Sequence, residues 1–231
     1  MRLAILSDIH SNIHALKTVA AEIKGRGGTD VIVCAGDVVG YGAFPNECCK
    51  TISAISKQTV LGNHDLAVLD RDTSFMNPYA AKAVLWTSSR LDDDSRRWLR
   101  SLSTEARFEV AGLEVAMYHG SVESCTEYVF EEDATESMLT RARCGLLILG
   151  HTHAPYVRRF PSGLIINPGS VGQPRDGDPR SCYALLDTDS QECVMIRLDY
   201  DIDEAANAIE AAGLPRFLAD RLYSGRSTTT H

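Results

Sequence analysis

No CxxC pair occurs in this chain, although it carries seven cysteines: Cys34, Cys48, Cys49, Cys125, Cys144, Cys182 and Cys193. The odd count and the missing pairs argue against a disulfide framework. Reduced thiols are the expectation, with Cys34 and Cys144 in or beside apolar runs as small hydrophobes. No stretch reaches about 18 consecutive apolar residues, so no membrane-spanning helix is expected. The opening MRLAILSDIH has a cation and an apolar run, but Asp8 interrupts the run too early for a secretory signal. The reading is a cytoplasmic protein. Excess positive charge is lacking too. The formal charge is -8 over 231 residues, a poor match for nucleic acid or an anionic membrane. Nonspecific binding to either is not expected, although a local cation cluster would still attract phosphate. There is no internal repeat and no low-complexity linker. A chain 44% hydrophobic and 23% charged is ordinary for a globular protein and long enough to bury a sizeable core.

Short apolar runs punctuated by turn residues are what the chain does contain. Leu3 to Leu6 read as a buried strand. A helix follows to about Lys24, capped by Ser11 or Asn12 and stopped by Gly25, Gly27 and Gly28. Val31 to Ala35, a helix from about Asn46 to Ser56, and Thr59 to Leu61 complete a pattern of parallel βαβ units. Residues 66–102 read as a helical insert, with Pro78 at one helix start. Asp92, Asp93 and Asp94 open another, their charge suiting a helix start better than a metal site. RFEVAGLEVAMYHG reads as a β-hairpin turning at Ala111-Gly112. Further strands are expected at Leu146–Leu149, Tyr156–Phe160, Leu164–Ile166, Tyr183–Leu186 and Val194–Leu198. NPGSVGQPRDGDPR, from Asn167 to Arg180, is too rich in Gly, Pro and Asp to be anything but loop. Helices at Asp203–Ala212 and Pro215–Leu222 close a single α/β domain of residues 1–223. Residues 224–231 are expected to be a disordered tail.

Five of the apolar runs end in the same way. They lead into Ser7-Asp8-Ile9-His10, Gly36-Asp37, Gly62-Asn63-His64-Asp65, His119-Gly120 and Gly150-His151-Thr152-His153. Five of the seven histidines sit in these endings; only His14 and His231 do not. Ligands of an open α/β sheet bind beyond the carboxyl ends of its strands, so five strands aligned in one sheet region would deliver these side chains to one place. The donors are imidazole nitrogens and carboxylate or amide oxygens. That mix suits Mn, Fe, Zn, Co or Ni better than a structural zinc or a calcium site. Asp8, His10, Asp37, Asn63, His119, His151 and His153 are too many for one metal. Shared through a bridging carboxylate, they fill two sites.

The motifs SDIH, GD, GNHD, HG and GHTH, in that order, resemble the calcineurin-like metallophosphoesterase superfamily, and within it the small bacterial and archaeal phosphodiesterases. The resemblance runs from Met1 to about Leu198, and INPGSVGQPRDGDPR takes part in it. It implies a four-layer αββα sandwich of two mixed β-sheets flanked by helices. It also implies two divalent metal ions, manganese foremost. Asp8, His10 and His153 would hold one, Asn63, His119 and His151 the other, and Asp37 would bridge them. His64 would be the general acid or an electrostatic stabiliser beside the phosphate, with Asp65 orienting its imidazole. The chain departs from many relatives in lacking a second acid after GD, where it reads GDVVGYG; this leaves the ligand set whole and the subfamily open.

The implied activity is phosphoester hydrolysis, in-line attack by a hydroxide bridging the metals, with phosphodiesters as the leading substrate. The substrate would be a small phosphoester or a nucleotide. Rivals are a phosphomonoesterase or protein phosphatase, a dinucleoside polyphosphate hydrolase, and a non-catalytic scaffold that keeps the metal pocket for partner binding. Among the remaining candidates, Asn12 either meets substrate or starts the helix, and Tyr41 either lines the pocket or packs its loop. Arg175 either binds phosphate or, like Arg180, pairs with Asp176 or Asp178. His14 reads as a surface or capping-region residue. The insert would frame the pocket or pair subunits, which leaves homo-oligomers open.

Overall fold

The first strand, β1 (Arg2–Leu6), reads as an unbroken apolar run because both of its faces are covered. Leu3 and Ile5 join one core, Ala4 and Leu6 another, and all four are fully buried. Burial on that scale is worth about 1.5–3 kcal/mol for each large side chain. In chain order there follow α1 (Ile13–Gly25), β2 (Val31–Cys34), α2 (Pro45–Ile55) and β3 (Gln58–Thr59). The structure, a computed structural model, describes residues 1–26 and 29–226. Gly27 and Gly28, expected to help stop α1, and residues 227–231 of the expected tail lie outside the described residues.

Three helices fill the expected insert: α3 (Asn63–Asp70), α4 (Pro78–Arg90) and α5 (Asp93–Arg100). Asn77 and Asp92 cap the last two through their side-chain oxygens, and Asp93 and Asp94 occupy the first turn of α5. The acidic run is therefore a helix start, as expected. β4 (Glu105–Val110) and β5 (Leu113–Tyr118) form the hairpin, with positive φ at both Ala111 and Gly112, as a tight two-residue turn requires. A short helix, α6 (Glu136–Ala142), precedes β6 (Leu146–Ile148), β7 (Tyr156–Phe160) and β8 (Gly163–Asn167). The chain ends in β9 (Ser181–Asp187), β10 (Cys193–Leu198), α7 (Ile202–Ala211) and α8 (Arg216–Ser224).

Two mixed five-stranded sheets result, ordered β10-β9-β1-β2-β3 and β4-β5-β6-β8-β7. They pack face to face through residues such as Leu3, Ile5, Val33, Met117, Ile148 and Ile166. Helices α1, α2, α3 and α5 cover the outer face of the first sheet, and α6 covers that of the second through Leu139 and Ala142. This is the αββα order.

One expectation needs correcting. The five endings do not belong to one sheet region: those after β1, β2 and β3 leave the first sheet, and those after β5 and β6 leave the second. They still meet, because β1, β2 and β3 run parallel in one sheet and β5 and β6 in the other. Loop hydrogen bonds stitch the rim: Gly150 N donates to His119 O at 2.7 Å, and Gly172 N to Asp8 O at 3.0 Å. A second correction concerns the tail. Helix α8 continues to Ser224, Gly177 N donates to Gly225 O at 2.8 Å, and Arg226 bridges Asp176, so order extends into the first residues expected to lack it. Among the described residues no helix is long and apolar enough to cross a membrane.

Candidate metal centre

Left-handed backbone marks the rim. Asp8, His10, Asp37, His151 and His153 all have positive φ, between 50° and 67°. Such residues cost about 1–3 kcal/mol each and persist where the surroundings impose them. Here the sharp turns fold side chains back over the strand ends. All five are buried.

The side chains form two groups. In the first, His153 Nε2 is 3.1 Å and His10 Nε2 3.6 Å from Asp8 Oδ1, and the two imidazole nitrogens are 3.2 Å apart. In the second, His119 Nε2 is 3.2 Å from Asp37 Oδ2 and 3.2 Å from Asn63 Oδ1, and His151 joins them. Asp37 Oδ2 also lies 3.6 Å from His10 Nε2, so one carboxylate oxygen faces both groups. Each triad, Asp8–His10–His153 and Asp37–His119–His151, presents its ligand atoms within 4.8 Å of one another, close enough for a metal ion.

The hydrogen bonds around the groups fit that use. Nδ1 of His10, His119 and His153 faces a backbone carbonyl, of Val39 at 3.3 Å, Ala35 at 2.8 Å and Gln173 at 2.5 Å. A proton held at Nδ1 leaves a lone pair on Nε2, where a ligand is needed. His151 is turned the other way: Nε2 meets Thr126 O at 3.2 Å, and Nδ1 is buried without a partner. The carboxylates show the same division. Asp8 Oδ2 accepts from Ser7 Oγ and His151 N, and Asp37 Oδ1 accepts from His64 N. Asp8 Oδ1 and Asp37 Oδ2 are buried with no hydrogen-bond donor. Two carboxylate oxygens without other hydrogen-bond partners, facing imidazole nitrogens and with no thiolate among them, match the donor chemistry of a divalent transition metal.

Protonation follows from burial and pairing. Burial works against charge on Asp8 and Asp37, yet the imidazoles around them hold both well below the ordinary carboxylate value. Burial alone would lower His119, but Asp37 beside it lifts it to about 9. Burial drives His153 down to about 3, aided by the Arg175 charge, and His151 down to about 4, aided by His119.

His64 stands at the edge of the first group. Its ring centre is 4.9 Å from that of His10 and 4.4 Å from that of Tyr41. Burial takes its pKa well below the ordinary histidine value. Gly40, with φ of +99°, makes room for it: a Cβ there would lie 2.8 Å from His64 Nδ1. Gly62 performs the same service for Asp37, since a Cβ would fall 2.0 Å from Oδ1.

Asp65 does not reach the His64 ring, contrary to expectation. Oδ1 accepts from Val39 N at 2.9 Å, and Oδ2 from Gly62 N at 3.0 Å and Val38 N at 3.3 Å, while His64 Nδ1 has no partner. Being the third residue of α3, Asp65 turns back onto the start of its helix and ties it to the loop after Asp37. Burial and the Asp37 charge raise its pKa to about 7, against the pull of those backbone donors. Asn12 also departs from the substrate-contact alternative. Its Oδ1 caps α1 at Ala15 N and its Nδ2 donates to Gly172 O, so both ends are engaged. His14 lies outside both groups, edge-on to Phe44.

Tyr41 packs against the His10 ring at 4.7 Å and so lines the site. Arg175 is half-buried and, among the described residues, has no carboxylate partner. It donates to Tyr41 Oη at 3.4 Å and Gln173 Oε1 at 3.3 Å, and its Nε has no acceptor. Arg180 takes the other course and pairs with Asp178, while Asp176 pairs with Arg197. Arg221 also stands at this site, unexpected from the sequence. It is buried on α8 with its Cζ 5.3 Å from the Tyr41 ring centre, and burial and Arg175 lower its pKa to about 10. A cation between the apolar Leu218 and Leu222 of α8 was the available signal. Tyr128 is unexpected as well; its ring lies 4.0 Å from that of His151, and nothing near it in sequence pointed there.

Residues 1–191 match the model of the calcineurin-like phosphoesterase superfamily domain. The uncharacterized protein MJ0912 of Methanocaldococcus jannaschii is 36% identical over 97% of this chain and 98% of its own length. Phosphodiesterase YfcE of Escherichia coli K12 is 27% identical over 82% of this chain and 89% of its own. A metallophosphoesterase from Sphaerobacter thermophilus superposes with a TM-score of 0.83 at 34% identity, covering 97% of this chain and 99% of that one.

Proposed function

The chain belongs to the calcineurin-like phosphoesterase superfamily, whose members are metal-dependent hydrolases, and on that premise we infer that it is a dinuclear-metal phosphodiesterase. The observation that carries this reading is Asp37 Oδ2, buried, without a donor, and facing His10 of one donor group and His119 of the other. Asp8, His10 and His153 would hold one cation, Asn63, His119 and His151 the second, and Asp37 both; manganese is the first metal to try. Two such cations, when bound, supply hydroxide near neutral pH and offset phosphoryl charge.

The protein's own groups do the rest. Backbone carbonyls at Nδ1 of His10, His119 and His153 fix the imidazole orientations before any ligand arrives. Arg175, a cation with no carboxylate partner among the described residues, draws the phosphate to the rim and holds its outer oxygen. His64, kept neutral by burial, offers an imidazole N–H to a phosphoryl or leaving oxygen. Tyr41 keeps His64 and His10 in place by packing against both rings. Sequence similarity to phosphodiesterase YfcE supports the diester reading over a phosphomonoesterase, a protein phosphatase or a dinucleoside polyphosphate hydrolase. The complete donor set and the intact His64 count against a scaffold.

The test is hydrolysis of bis-p-nitrophenyl phosphate against p-nitrophenyl phosphate, with Mn²⁺ and with chelator. The diester should be hydrolysed faster, and only with metal. Faster monoester hydrolysis would turn the assignment to a monoesterase, and inactivity with every divalent metal would favour the scaffold.

A further inference from the structure

A cavity of about 430 Å³ opens against the second donor group, with Asn63 and His151 in its wall. Helix α3 builds one side. Asn63, Leu66, Ala67 and Asp70 follow one another at helical spacing and all line the cavity. Asn63 stands in the first turn and Asp70 in the last, seven residues on, which is roughly 10 Å along the axis. The wall therefore runs from a metal-ligand position, over an apolar middle, to a carboxylate. Asp72 adds a second, exposed carboxylate beyond the end of the helix, one of whose oxygens accepts from Ser74 N at 3.0 Å. Two separate segments each bring an aromatic ring to the lining. Phe75, from the segment between α3 and α4, is 95% exposed, and Tyr128, from the segment after β5, lies over His151. An isolated exposed Leu would call for no comment. A bare phenyl ring bordering a cavity beside the metal groups does.

We propose that this cavity binds the nucleoside arm of the substrate, the base lying between Phe75 and Tyr128 with an amino edge toward Asp70 and Asp72. The proposal rests on the phosphodiester reading and adds the substrate class to it. The volume falls in the range of small-molecule sites. The length suits a phosphate at Asn63 with a base beside Leu66 and Ala67. Two aromatic rings in the lining suit a flat π-system rather than a sugar or a flexible acyl chain. Acceptor-only carboxylates at the outer end favour bases that present an amino donor.

The experiment compares three competitors of bis-p-nitrophenyl phosphate hydrolysis by the Mn²⁺-loaded protein: AMP, purine riboside 5′-monophosphate, which lacks the amino group, and ribose 5-phosphate, which lacks the base. AMP should inhibit about tenfold more tightly than ribose 5-phosphate, the gain expected from base stacking. It should inhibit about threefold more tightly than the purine compound, the gain from one hydrogen bond. Phe75→Ala should bring AMP close to ribose 5-phosphate and leave ribose 5-phosphate inhibition where it was, and Tyr128→Leu should lower the preference for AMP over ribose 5-phosphate. Asp70→Ala combined with Asp72→Ala should remove only the amino preference. Equal inhibition by AMP and ribose 5-phosphate in the unaltered protein overturns the proposal. So does a Phe75→Ala protein whose sedimentation changes while its preference for AMP does not, since Phe75 would then serve contact between copies. Equilibrium dialysis with AMP separates the two readings. Base-selective binding without diester hydrolysis sinks the enzymatic assignment alone, and hydrolysis without base selectivity sinks this one alone.

Discussion

Asp37 and His119 form a buried pair, Oδ2 to Nε2 at 3.2 Å, and the carboxylate holds a proton on the imidazole up to about pH 9. A metal at that nitrogen must displace the proton. Binding at the second group should therefore tighten with rising pH, by up to about tenfold per unit below pH 9, and release about one proton at pH 7.5. The sign for stability is opposite. His119 is raised above its ordinary 6.5, so its contribution to the metal-free fold is complete below about pH 6.5 and lost as pH rises toward 9. Calorimetry of Mn²⁺ binding in two buffers of different ionisation enthalpy reads the proton directly. Proton-neutral binding at pH 7.5 would remove His119 from the ligand shell.

Asp37→Asn keeps the shape of the residue and removes its charge. Because the lost oxygen faces both groups, both metals should weaken, each by at least about tenfold, where loss of an unshared ligand would weaken one. Metal content after dialysis gives the stoichiometry. One metal retained at full occupancy would mean that Asp37 serves a single site.

On the proposed assignment, His64→Ala removes a catalytic group and no ligand, so it should retain both metals and lower kcat by about 10²–10⁴. Gly40→Ala should act on the same residue from behind. Its Cβ would press on His64 Nδ1 at 2.8 Å, so kcat should fall without loss of metal. Elemental analysis distinguishes the outcomes, and metal loss in His64→Ala would place that histidine among the ligands.

Arg175→Met should raise KM for anionic diesters by about tenfold or more while metal content stays unchanged, because on the proposed assignment the guanidinium meets the phosphate and no cation. The measurement is steady-state kinetics at two ionic strengths. The variant should lose most of the salt dependence of KM, and an unaltered KM would reduce Arg175 to a packing partner of Tyr41.

Much of the fold could be read from the chain because its information was local. Strands covered on both faces, such as β1 and β6, appear as continuous apolar runs, and the Ala111-Gly112 turn declares its hairpin. The metal-binding candidates were legible for the same reason: each stands within five residues of the carboxyl end of a strand. What was not legible depended on distant partners. Which sheet a strand joins is decided by pairing across the chain, so one sheet region was expected where two supply the rim. Asp65 stands next to His64 in sequence, but its carboxylate is taken by backbone N–H groups that include Val38 and Val39, 27 and 26 residues away. Helix α6 has only Leu139 and Ala142 as buried anchors in seven residues, too little periodicity to register. Tyr128 and Arg221 arrive from elements whose own sequence carries no sign of the metal groups.

The shared carboxylate is tested most directly by anomalous diffraction from crystals soaked in Mn²⁺. Two peaks about 3.5–4 Å apart, with Asp37 Oδ2 between them and His10 and His119 on opposite sides, are the expected result. A single peak, or peaks away from Asp37, would contradict it.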